Sequence, residues 1–124
     1  MMNEKIAFLT TELNITPEEG QVFWPVYNKV NQEKDAAMRN VFKAYRNLAK
    51  ATEEGVKGKE LEKLLKEYLN AQQAQREVEE ESAEKFMKVL STEKTAKLYL
   101  AEERFRRRQI YKLNHGNNHR DQQK

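Results

Sequence analysis

Ile15-Thr16-Pro17-Glu18-Glu19 and Leu90-Ser91-Thr92-Glu93-Lys94 are two copies of one helix-start signature, and their reading decides the fold. In the first copy Thr16 is a helix cap whose hydroxyl accepts from the amide three residues on. Pro17 takes the first helical position, where its missing N–H is no loss, and Glu19 is placed to bond back to the cap. Glu18 and Glu19 also set negative charge at the positive end of the helix dipole. The second copy keeps the apolar residue, the hydroxyl cap and an acid in the first turn. Phe23-Trp24 follows the first cap, and Leu98-Tyr99 follows the second in the same register. One capping box says only that a helix begins. Two of them, each launching a helix with bulky apolar residues near its start, are far more specific.

Outward from these caps the spacing predicts four helices and no strands. A first helix covers residues 3–13, with Ile6, Leu9 and Leu13 on one stripe. A second runs from Pro17 to Ala49 on apolar spacings that alternate between three and four, with a kink expected at Pro25. Residues 51–58 hold Gly55 and Gly58 and form the one obvious loop. The third helix, 59–89, is amphipathic through Leu61, Leu64, Leu65, Tyr68 and Leu69 but has little to bury between residues 70 and 85. The fourth starts at the Ser91 cap and runs to Asn114, apolar on more than one side. Two long helices on a short loop lie antiparallel. The expectation is an all-α chain: a long antiparallel hairpin flanked by shorter helices in an elongated, thin layer. Residues 1–114 form a single domain and 115–124 a polar, disordered tail. A thin layer leaves apolar surface uncovered, so a homodimer or a partner-binding face is expected.

The composition fits this picture. The chain has 124 residues, 35% charged and 38% hydrophobic, with only four glycines and two prolines. Its mean hydropathy of -1.01 requires the apolar residues to be concentrated on faces. No cysteine is present, which excludes disulfides and thiol chemistry. No apolar run approaches the roughly 20 residues that span a bilayer, so no membrane insertion is expected. No signal peptide is visible, an ambiguous observation because the chain could be a mature or truncated form. The net charge of +3 is the difference of 23 basic and 20 acidic residues. Residues 91–124 carry nine Lys or Arg against four acids, and residues 51–90 carry seven against ten.

Chemistry-bearing patterns are few. No Gly-rich phosphate loop, HExxH or Ser/His/Asp set occurs, so no enzyme and no cofactor are expected. His115 and His119 are spaced i, i+4, as two imidazoles sharing a metal would be, but Gly116-Asn117-Asn118 between them disfavours a helix there. A solvated tail is the better reading. Glu77, Glu79, Glu80, Glu81 and Glu84 read as an ordinary solvated acidic surface. The basic stripes carry more. Arg39, Lys43, Arg46 and Lys50 repeat along helix two beside Val41, Phe42 and Tyr45. Lys97, Arg104, Arg108 and Lys112 share one side of helix four, with Arg106 and Arg107 fanning around it. Taken alone these are solubilising charge. The alternative is a face where long basic side chains flank apolar patches, attract acidic, partly unfolded chains and hold them weakly. Arg39, Lys43, Arg46, Arg104 and Arg108 are the candidate client-binding residues. Nucleic acid is disfavoured, because helices two and three are too acidic for a basic footprint.

The arrangement resembles the Spy/CpxP family of small bacterial envelope proteins, whose two LTxxQ motifs open helices. The resemblance runs from Ile6 to Leu113. Val89-Leu90-Ser91-Thr92-Glu93-Lys94 stands where the family has a V-L-T-P-E-Q-like run, and Arg104-Phe105 follows at a family-like distance. Ile15-Thr16-Pro17-Glu18-Glu19 keeps the hydroxyl and the proline, and Phe23-Trp24-Pro25-Val26-Tyr27 looks like the variant of Bacteroidetes-type bacteria. Neither copy is a full match: Glu19 and Lys94 replace Gln, and Ser91 replaces Thr. The resemblance implies an all-helical antiparallel dimer in the periplasm that binds unfolding proteins without ATP or reports envelope stress. It also implies an alternative, a sensor or regulatory module, heavy-metal-responsive in some relatives, that binds a dedicated membrane partner.

Overall fold

The computed structural model describes the backbone of residues 2–122 and the side chains of residues 4–114. The chain is all-α: α1 (Met2–Leu13), α2 (Pro17–Glu53), α3 (Gly58–Met87) and α4 (Thr92–Gln122), with no strand among the described residues. Both cap signatures form. The Glu19 amide donates to Thr16 Oγ1 at 3.2 Å and the Thr16 amide to Glu19 Oε1 at 3.0 Å, a closed capping box. The Lys94 amide donates to Ser91 Oγ at 3.1 Å. Lysine has no acceptor to return the second bond, so this box is half closed.

The helix ends are equally local. Asn14 adopts φ 51° after α1, with its amide on Thr11 O and the Ile15 amide on Thr10 O. Gly55 adopts φ 75° after α2, with its amide on Thr52 O and the Val56 amide on Ala51 O. Both are the paired 6→1 and 5→2 bonds of a left-handed helix stop, and a side chain other than Gly or Asn would be strained there. The Gly55 stop explains why α2 passes the expected Ala49 to reach Glu53. Pro25 sits inside α2.

Two expectations on α4 are corrected. It is 31 residues long, no shorter than α3 with 30, and it continues past Asn114 to Gln122. One glycine inside a helix costs only about 1 kcal/mol against alanine, too little to force a stop at Gly116. The tail expected to be disordered is helical in its backbone as far as Gln122; residues 123–124, and the side chains of His115 and His119, lie outside the described residues.

The chain, read from its sequence as one domain, packs as two compact units, Met1–Gln21 with Leu90–Lys124, and Val22–Val89. In the first, α1 and α4 bury Leu9, Leu13, Leu90, Leu98 and Ala101, with Thr95 returning its hydroxyl to Ser91 O. Phe8 meets Phe105 with ring centroids 5.6 Å apart, Lys5 pairs with Glu102 at 2.7 Å, and Arg104 pairs with Glu12 at 2.9 Å.

The second unit is the antiparallel pair of α2, from Val22, with α3. As numbers rise along α2 they fall along α3: Tyr27 meets Phe86, Glu33 bonds Lys85, Lys34 bonds Glu79 and Tyr45 meets Tyr68. Packing is uneven along this hairpin. Near its open end Phe23, Tyr27, Val30 and Phe86 are buried in one aromatic cluster, with Trp24 half-buried and edge-on to Phe23 and Tyr27. Towards the loop only Ala37 and Ala51 are buried.

Candidate functional site

The under-packed half of the hairpin is where side chains remain available. Met38, Phe42 and Tyr45 follow i, i+4, i+7 on α2 and are 41%, 53% and 55% exposed, large values for such residues. Leu65 and Leu69 follow i, i+4 on α3 and are 45% and 49% exposed. At about 100° per residue both stripes turn to the same side of the plane through the two helices. The edge-on contact of Tyr45 with Tyr68, centroids 5.9 Å apart, holds the helices together there. Two helices have no third element to cover this side within the unit, so about half of each side chain stays in water.

Arg39, Lys43 and Arg46 lie along the flank of α2 turned away from α3, adjacent to the Phe42 stripe. All three are exposed, and none has an ion-pair partner among the described residues. Lys50, next in the stripe, lies 4.0 Å from Glu54. Chemically, this surface offers long-range positive charge beside weakly held apolar area.

Arg104 and Arg108, the other candidate client residues, are engaged inside the first unit. The Arg104 guanidinium donates to Glu12 at 2.9 Å, and that of Arg108 lies over the Phe8 ring, 5.2 Å from its centroid. Both pin α1 to α4. Arg106 and Arg107 both donate to Glu103, whose carboxyl they pull down to about 2, Arg106 contributing first. The same pairing raises Arg106. One carboxylate thus serves two of the three cations of Arg106-Arg107-Arg108, and the sequence signal for it is Glu103 at i−3 and i−4.

The cap signatures meet one another. The Lys94 ammonium donates to Glu19 Oε1 at 2.6 Å and to Asn14 O at 2.9 Å. The Lys94 ammonium, then the Thr16 amide, hold the Glu19 carboxyl below its usual range. Ile15 is half-buried, Leu90 buried, and Pro17 exposed in the first turn of α2. Ile15, Thr16, Pro17, Glu19, Leu90, Ser91 and Lys94 are therefore architectural. Sequence reading missed Met38, Leu65 and Leu69 as surface residues, because periodicity marks a stripe as apolar without saying what covers it.

Among the described residues no group of three His, Cys, Asp or Glu side chains is placed to hold a metal ion. No helix of the described residues is long and apolar enough to cross a membrane. Comparison of the chain with protein-family models, with curated proteins and with solved structures gives no match.

Proposed function

We propose that this protein is a non-enzymatic, ATP-independent chaperone or envelope stress-response protein of the periplasm. In this reading it captures unfolded segments on the basic-apolar surface of the α2–α3 hairpin. The observation that carries the reading is the adjacency of three unpaired cations, Arg39, Lys43 and Arg46, to the half-exposed stripe Met38, Phe42 and Tyr45. Charge steers acidic, partly unfolded chains to the surface, and the apolar stripe retains them without the deep pocket that a specific ligand needs. The resemblance of the two cap signatures to the LTxxQ motifs of the Spy/CpxP family supports the same reading, and the periplasmic location rests on that resemblance. The uncovered side of a two-helix unit supports a homodimer built through α2 and α3.

Light scattering from several unrelated proteins unfolding at sub-stoichiometric and stoichiometric ratios of this protein tests the proposal. Suppression across clients, without nucleotide, is the expected result. Indifference to every client would leave the dedicated sensor as the better reading.

A further inference from the structure

Near the open end of the hairpin, away from the residues of the Met38–Phe42–Tyr45 stripe, lies a pocket of about 260 Å³ between α2 and α3. Val26 and Val30 of α2 and Val89, just beyond α3, line its apolar part. Lys29 and Lys88 stand on its rim, both exposed, and among the described residues neither has a carboxylate within ion-pair distance. A third lysine, Lys85, is held at 2.9 Å by Glu33, which fills one end of the rim with a neutralised pair. Three valines and two uncompensated ammonium groups make a complement to a molecule with an alkyl chain and one anionic head. Taking each methylene at ~30 Å³, the share of volume that a water occupies, the pocket holds on the order of eight.

We propose that this pocket is a binding site for a medium-chain fatty carboxylate. The chain lies on Val26, Val30 and Val89, and the carboxylate sits between Lys29 and Lys88. The attraction is charge-assisted hydrogen bonding at an exposed rim added to burial of the chain, so affinity is modest and falls with salt. A neutral alcohol of the same length has the chain without the head, which separates the two contributions. The proposal stands apart from client capture, since none of these residues belongs to the Arg39–Lys43–Arg46 stripe.

The test is a methyl NMR titration of the full chain with octanoate and, separately, octan-1-ol. The expected result is contacts from the octanoate chain to the methyls of Val26, Val30 and Val89, with octanol binding more weakly. In the K29Q/K88Q variant octanoate affinity should fall about tenfold, the size of two exposed ion pairs, while octanol affinity and helicity stay unchanged. Equal affinity of octanoate and octanol for the unaltered protein would overturn the proposal. So would octanoate contacts at Met38 or Leu65 in place of the valines, or full octanoate affinity in K29Q/K88Q. Displacement of octanoate by a leucyl-glutamate dipeptide at lower concentration would also overturn it, and would assign the pocket to peptide.

Discussion

Lys94 Nζ stands 2.6 Å from Glu19 Oε1, so the third helical residue of one cap signature is bonded to the third helical residue of the other. The two residues hold equivalent positions in the two cap signatures, carry opposite charges and are partners. Glu19 has two tasks here, since one carboxylate accepts both from the Thr16 amide and from Lys94. Lys94 likewise spans two elements, reaching the Asn14 carbonyl at the end of α1.

Reversal at one end of this pair should therefore lower the melting temperature. K94E places two carboxylates together and strips the Asn14 carbonyl of its donor. The exchange E19K/K94E should recover only part of the loss, because a lysine at position 19 accepts nothing from the Thr16 amide. Thermal melts followed by circular dichroism check this; a K94E melt superimposable on the original would show that the pair contributes nothing to stability.

The pH dependence follows from the same bond. The folded Glu19 carboxyl titrates below its ordinary value of 4.5. Its contribution is complete above that value and is lost as pH falls through the lower, folded one. In K94Q the Glu19 titration, followed by carboxyl NMR, should move up towards 4.5 because the largest cause of its depression is gone. An unmoved titration would show that the Thr16 amide alone sets it.

Glu103 offers a second titration of the same sign. With Arg106 and Arg107 in place its carboxyl is held at about 2, against an ordinary 4.5. R106Q/R107Q should return it to the ordinary range. Both arginines are exposed, so the melting temperature should change little while the titration moves.

Burial separates the neighbouring aromatics Phe23 and Trp24. Phe23 is fully buried against Tyr27 and Phe86, and F23A should cost about 3–5 kcal/mol in denaturant unfolding. Trp24, only half-buried, should cost less on W24A and should emit at a wavelength intermediate between buried and free indole. Equal losses would place Trp24 in the core.

The proposed homodimer is tested by sedimentation equilibrium at micromolar concentration. A mass twice the 14.7 kDa of the chain is expected. A monomer throughout that range would leave the uncovered side of the hairpin to clients alone.

Much of the backbone was legible because its signals are local. Thr16, Pro17 and Glu19 specify a start within one turn, and Gly55 specifies a stop through its left-handed conformation. The α4 boundary was misread because Gly116 and two asparagines only weaken a helix, and such weak local penalties do not fix where it ends. The roles of Arg104 and Arg108 were not legible, since Glu12 and Phe8 lie more than ninety residues away in sequence. Their charges read as free until the packing of α1 on α4 supplies the partners. Arg39, Lys43 and Arg46 read the same way in sequence and have no ion-pair partner among the described residues.

We propose that these three cations steer client capture, and the direct measurement is aggregation suppression by R39E/K43E/R46E at several salt concentrations. Steering by charge requires unchanged helicity, slower capture than the original protein at low salt, and convergence of the two as salt screens charge beyond about 8 Å. Undiminished suppression with unchanged salt dependence in a folded triple variant would contradict it, and would return the three residues to ordinary surface charge.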